Sequence, residues 1–121
     1  MKARVLLVED DEDIARNLRD LLEGEGHVVE WASNGRVALD YLRDASELPS
    51  LILLDLMMPV MDGYQFRREQ EMDPRIAWIP VVLMTADGHI EAKQYKIGAK
   101  MYISKPVEVE AILDAVQRFS V

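Results

Sequence analysis

Three carboxylates, one hydroxyl and one ammonium in this chain stand at the ends of short apolar runs. Leu51-Ile52-Leu53-Leu54 ends in Asp55, and Arg4-Val5-Leu6-Leu7-Val8 runs into Glu9-Asp10-Asp11. Pro80-Val81-Val82-Leu83-Met84 meets Thr85, and Met101-Tyr102-Ile103 leads to Ser104-Lys105-Pro106. If these runs are parallel strands of one sheet, their endings share an edge, and Glu9, Asp10 and Asp55 come within a few ångströms of one another. Like charges that close raise one another's pKa or require a counter-ion. A hard divalent cation with oxygen ligands meets that need, and magnesium is the natural choice where a phosphate completes the octahedron. The backbone carbonyl of Met57, just past Asp55, could add a ligand. Asp55 would then be set up to attack a phosphorus atom, with Mg²⁺ and Lys105 neutralising charge on the equatorial oxygens. Thr85 can donate a hydrogen bond to the phosphoryl group, and Ala86 is small enough to leave an approach path.

Each of these residues alone has a plainer explanation. Asp11 and Asp13 precede a helical pattern and read as caps, and Asp62-Gly63 reads as a turn. An isolated Thr85 is a cap hydroxyl and an isolated Lys105 a solvated charge. His27 and His89 have no partner pattern for a metal, and Met57, Met58 and Met61 fill loop and core space. The chemical reading rests on the right types at four endings together.

The elements that must position them alternate. Strand patterns cover 4–8, 27–32, 51–54, 80–84 and 100–104. The first, third and fourth are nearly continuous Val, Ile and Leu, as in strands buried on both faces, while the second and fifth are more mixed, as at edges. Between them, Ile14, Leu18, Leu21 and Leu22 share one helical face, and Gly24 and Gly26 stop that helix. Asn34 and Gly35 open the next, with Val37, Ala38, Tyr41 and Leu42 inward. A third helix follows Asp62-Gly63 with Tyr64 and Phe66. Segment 88–97 has a weak stripe of Ile90, Tyr95 and Ile97, which predicts loose docking. Val109, Ile112, Leu113 and Val116 mark the last helix, after Pro106. Such alternation implies parallel strands with right-handed crossovers in a doubly wound α/β sheet, whose ligand crevice lies at the carboxyl ends of the strands.

The 121 residues suit one domain, 1–121, and half of them are apolar, enough for a core. Cysteine is absent, so disulfides and thiolate zinc sites are excluded. A net charge of −8 argues against nucleic-acid binding by this domain itself. No apolar run approaches the ~18 residues of a membrane span, and the N-terminus has no signal-peptide pattern, so the expected location is cytoplasmic.

The residues Val8-Glu9-Asp10-Asp11, Leu53-Leu54-Asp55-Leu56-Met57-Met58-Pro59, Met61-Asp62-Gly63, Met84-Thr85-Ala86, Gly98-Ala99-Lys100 and Lys105-Pro106 resemble, in this order, the receiver domain of two-component response regulators. The resemblance covers essentially the whole chain. It implies a five-stranded parallel sheet in the flavodoxin-like order 2-1-3-4-5, flanked by five helices. Asp55 would accept a phosphoryl group from the phosphohistidine of a sensor histidine kinase or a phosphotransfer protein. Asp10 and Asp55 would bind Mg²⁺ directly with the Met57 carbonyl, and Glu9 would act mainly through water. Thr85 and Lys105 would grip the phosphoryl group, and Tyr102 would be the switch aromatic. Met57 and Asp87 would flank the phosphoryl group and influence its lifetime. The Lys105-Pro106 bond would be cis. Output to a downstream protein or domain would pass through the face at about 88–119, which also leaves open a phosphorylation-dependent homodimer. The implied mechanism is a population switch, not a turnover enzyme.

Three rival readings stand beside this one. A hydrolase of the haloacid dehalogenase type would need a second Asp two residues after the nucleophile, where this chain has Met57. A pure interaction module would not need the acid, Thr and Lys set. The chain could also be a piece of a larger regulator or hybrid kinase, which its residues do not exclude.

Overall fold

The computed structural model describes residues 2–86 and 96–119. Five strands, β1 (Arg4–Val8), β2 (Val28–Ala32), β3 (Leu51–Asp55), β4 (Val81–Thr85) and β5 (Met101–Ser104), alternate with α1 (Glu12–Gly24), α2 (Gly35–Asp44), α3 (Gly63–Glu71) and α4 (Val109–Arg118). Every strand pair is parallel, and the order is β2-β1-β3-β4-β5, as expected. Strand bounds differ from the sequence reading by one residue at some ends, so that Asp55 and Thr85 close β3 and β4 themselves. The described residues contain four helices. The fifth expected helix, over 88–97, falls mostly outside the described residues, as do Asp87, His89, Ile90 and Tyr95.

β3 and β4 are buried at every position. Their side chains alternate between two apolar layers. Leu53 and Val82 face Leu22 of α1 and Ile112 and Val116 of α4. Ile52 and Leu54 face Leu39 and Leu42 of α2 and Phe66 of α3. Full burial of such side chains contributes about 1.5–3 kcal/mol each, so the central strands hold their register firmly. A slip of one residue would exchange the two layers and move Asp55 off the site.

Two inward assignments are corrected. Val37 and Val109 are 44% and 54% exposed. The buried stripe of α2 is Gly35, Ala38, Leu39 and Leu42, at i, i+3, i+4 and i+7. Val37 sits two residues from the start of that stripe, about 200° around the helix. Val109 opens α4, where the buried positions are Ile112, Ala115 and Val116.

The caps explain where the helices begin. The Asp11 carboxylate accepts from the N–H groups of Asp13 and Ile14, whereas Asp13 lies inside the first turn of α1. Asn34 Oδ1 accepts from the Val37 N–H at 3.0 Å. Asp62, read from the sequence as a turn residue, is the N-cap of α3 in a reciprocal capping box with Gln65.

α3 starts unusually close to the end of β3. The Gly63 N–H donates to the Leu56 carbonyl at 2.9 Å. A Cβ at Gly63 would lie 2.9 Å from the Asp55 carbonyl oxygen and 3.0 Å from Leu56 Cα. Both are backbone atoms that cannot rotate away. Gly63→Ala should therefore destabilise the fold by about 1–3 kcal/mol, as overpacking does. Urea unfolding of the two proteins measures this, and equal midpoints would show that the approach is not a constraint.

Candidate functional site

Sheet register brings the chemical residues together. β1 and β3 pair with Val8 opposite Leu54, so Glu9 and Asp10 leave β1 level with Asp55. On the other side Asp55 pairs with Met84, and Thr85 pairs with Ser104, which puts Lys105 at the same edge. The Lys105 N–H donates to the Thr85 carbonyl at 3.0 Å, tying the ammonium-bearing residue to the hydroxyl-bearing one. The Lys105-Pro106 bond is cis, as the resemblance implied.

Carboxylate oxygens of Glu9, Asp10 and Asp55 lie within 4.8 Å of one another. The three differ in burial: Glu9 is fully buried, Asp55 is 5% exposed, and Asp10 is exposed. Lys105 Nζ donates to Glu9 Oε1 at 2.7 Å and stands 3.5 Å from Asp55 Oδ2. A pocket of about 380 Å³ opens at this edge, lined by Asp55, Met57, Thr85, Ala86 and Lys105.

The electrostatics follow from this crowding. Burial pushes the Asp55 carboxyl up, and the Glu9 charge pushes it further; the Lys105 ammonium pulls it back only in part, and it settles at about 7. Burial works against the Lys105 charge too, but the Glu9 hydrogen bond and the Asp55 carboxylate outweigh it and hold its pKa above the ordinary value. One ammonium therefore does not neutralise the acids. Three hard oxygen donors with charge left over fit a small divalent cation. Among the described residues they are the one group of at least three acids, histidines or cysteines that could hold a metal ion.

Glu9 is held at every polar group. Its N–H donates to the Ala32 carbonyl at 3.0 Å. Its carbonyl accepts from Trp31 Nε1 at 2.8 Å. Oε2 accepts from the Asp11 N–H at 3.2 Å, while Oε1 takes Lys105. The Trp31 contact is absent from the sequence reading. Its partner is a main-chain oxygen, so the only available signal was the β1–β2 register, which sets Leu7 beside Trp31. The loop after Asp55 is pinned from two sides, by Gly63 N–H on the Leu56 carbonyl and by Gly35 N–H on the Met61 carbonyl. Met57, 64% exposed, sits at the pocket mouth in that loop. Tyr102 is half-buried and packs beside Leu56, Leu83 and Ile97.

The model of the response regulator receiver domain matches residues 5–117. The chain belongs to the receiver domain family. Response regulator Rre1 of Synechocystis is 37% identical over 90% of this chain and 49% of its own length. Sporulation initiation phosphotransferase F of Bacillus subtilis is 34% identical over 98% of this chain and 94% of its own. The chain thus spans about half the length of some curated relatives and nearly all of others. The crystal structure of a putative response regulator from Chloroflexus aurantiacus superposes with a TM-score of 0.87 at 30% identity, covering 98% of both chains. This receiver domain has the flavodoxin-like fold of its family and is a phosphorylation-dependent switch of two-component signalling, not a turnover enzyme. No helix among the described residues is long and apolar enough to cross a membrane.

The raised Asp55 pKa has a consequence for stability. The folded domain keeps a proton on Asp55 up to about 7, whereas the unfolded chain releases it near the ordinary 3.8. Between these values the folded state binds more protons, so rising pH removes stability. The raised pKa of Lys105 acts only far above this window. In chelator, Asp55→Asn should gain stability over wild type as pH rises from about 4 to about 7. Urea unfolding across that range measures the difference, and a constant difference would contradict it.

Proposed function

We propose that Asp55 is the phosphoacceptor and that residues 1–121 work as one receiver domain. The observation that carries this is the meeting of Asp55 with Glu9, Asp10 and Lys105 from three distant parts of the chain, with Lys105 Nζ 3.5 Å from Asp55. An Asp55 oxygen bonds to phosphorus as the P–N bond of a donor phosphohistidine breaks, and the product is an acyl phosphate. Asp10, Asp55 and the Met57 carbonyl would hold Mg²⁺, with Glu9 acting through water. When bound, Mg²⁺ supplies positive charge to the phosphoryl oxygens. Glu9 keeps Lys105 within reach, so the ammonium needs only a short shift to meet new negative charge on Asp55. Thr85 closes the other side and donates its hydroxyl. Preorganisation of this kind is nearly all that phosphoryl transfer asks of a protein.

The partners on this reading are a sensor histidine kinase or a phosphotransfer protein on the input side. The domain would work in the cytoplasm, where such donors act. Its output is a downstream protein or an attached domain that reads the 88–119 face, with a phosphorylation-dependent homodimer through that face as a further form. A groove of about 630 Å³ between β5 and α4, lined in part by Tyr102, Lys105, Ala111 and Asp114, supports this choice of face. It adjoins Lys105, so a shift of that side chain alters the groove wall.

Incubation with a small phosphodonor and Mg²⁺ should add one phosphoryl group to wild type and none to Asp55→Asn, read by intact mass. Equal labelling of both proteins, or none of wild type, would refute the assignment. Mg²⁺ should also raise the melting temperature, by the equivalent of about 2.7 kcal/mol at 100 times its dissociation constant. Asp10→Asn should lose most of that gain. Identical melting of wild type in Mg²⁺ and in chelator would count against the metal site.

A further inference from the structure

α3 reaches across to the corner that precedes β5, and its contacts there serve neither phosphoryl nor metal binding. Tyr64 and Arg67 are three residues apart and so lie on one face of the helix. Lys96 Nζ stands 4.8 Å from the centroid of the Tyr64 ring, within cation–π range. One residue on, the Ile97 carbonyl accepts from Arg67 Nε at 2.9 Å. The next residue, Gly98, has φ +73°, and a Cβ there would lie 3.6 Å from Arg67 Nη2. Arg67 is itself steadied by Glu71 Oε1 at 3.4 Å, and its side chain is only 15% exposed. Three successive residues of the corner are thus met by two side chains of one helix.

Both ends of this arrangement lead to the switch. α3 begins at Gly63, whose N–H bonds the carbonyl of Leu56, the residue after Asp55. Leu56, Leu83 and Ile97 form a separate buried cluster against which Tyr64, Ala99 and Tyr102 pack. Leu83 lies in β4 two residues before Thr85, and Tyr102 lies in β5, directly opposite Leu83. The corner therefore sits between the phosphoacceptor strand end and the switch aromatic, in one contiguous set of contacts. Arg67 Nη1 is buried without a hydrogen-bond partner among the described residues. That donor is open to a further acceptor, and leaving it unpaired keeps the present arrangement short of its full hydrogen bonding.

We propose that Tyr64 and Arg67 of α3 form a clamp on the Lys96–Gly98 corner that couples the state of the Asp55 strand end to Tyr102. Tyr64 and Arg67 are positioning residues here, since neither touches the acid cluster. The proposal rests on the reading of Asp55 as phosphoacceptor, so its test has one arm that needs no phosphate. By hydrogen exchange of the untreated full chain, Arg67→Met should speed exchange in 96–104 at least fivefold while β1 and β3 keep wild-type protection. Unchanged exchange at 96–104, or a rise spread over the whole sheet, would overturn the clamp. In the second arm, wild type, Arg67→Met, Tyr64→Leu and Tyr64→Phe receive phosphodonor and Mg²⁺, with phosphate uptake followed by intact mass. Wild type should show an exchange change at 96–104 on phosphorylation. Arg67→Met and Tyr64→Leu should take up phosphate within twofold of wild type yet lose at least half of that change. Tyr64→Phe, which keeps the ring, should retain it. A full change in both disrupted variants would overturn the coupling while leaving Asp55 as acceptor. No uptake by wild type would overturn the coupling together with the phosphoacceptor reading, while the first arm still decides whether the clamp exists.

Discussion

Three carboxyl groups crowded at the end of a buried sheet are the constraint around which this domain is organised. Glu9 and Asp55 lie almost out of contact with water, and one ammonium, 2.7 Å and 3.5 Å from them, cannot balance both together with Asp10 once Asp55 gives up the proton it holds up to about 7. Little water reaches Glu9 and Asp55 to relieve the repulsion, and the strands cannot move apart without losing the packing of Leu53, Leu54, Val82 and Leu83. The core therefore holds the acids in a place they would otherwise leave. On the proposed function that tension would make the site responsive, because a divalent cation or a phosphoryl group would change the charge balance of a rigid framework, not of a floppy one.

The three acids differ in exposure. Glu9, with every polar group bonded, is fixed and fixes Lys105 in turn. Asp10 faces solvent, the side from which a hydrated ion would reach the cluster. Asp55 lies between, buried enough for its pKa to rise to about 7 and open enough to line the pocket. A similar gradation runs through the other strand endings, with Thr85 buried and Lys105 half-buried at the pocket's far wall. Differences in exposure thus give chemically similar groups different environments.

The apolar clusters of the domain differ in size. Below the acids the layers facing α1 with α4 and α2 with α3 are large and continuous. Beside Asp55, in contrast, the small cluster of Leu56, Leu83 and Ile97 stands apart and carries Tyr102 at its edge. A small cluster can repack without disturbing a large one, and this is where tightly packed proteins can accommodate two arrangements.

Much of this was legible in the residues themselves. Continuous Val, Ile and Leu over 4–8, 51–54 and 80–84 announced central parallel strands, because only strands covered on both faces lack polar alternation. Polar residues at their ends announced a crevice there, and Glu9, Asp10, Asp55, Thr85 and Lys105 do meet in it. The faces of α1, α2 and α4 were readable from period alone, except at Val37 and Val109, where one apolar side chain near a stripe could not be told from one within it. Asp62 was misread as a turn because a cap and a turn use the same side chain, and only the reciprocal bond from Gln65 separates them. What the chain could not disclose was anything that depends on distance between segments. The depth of Glu9 against that of Asp10, the choice of Glu9 by Lys105, the indole of Trp31 on a main-chain oxygen and the reach of Arg67 to Ile97 all arise from register and packing. Residue types and local periodicity decide which groups are present and which way they face. Only the folded chain decides how far apart they stand and how much water reaches them, and charge–charge energies depend on both.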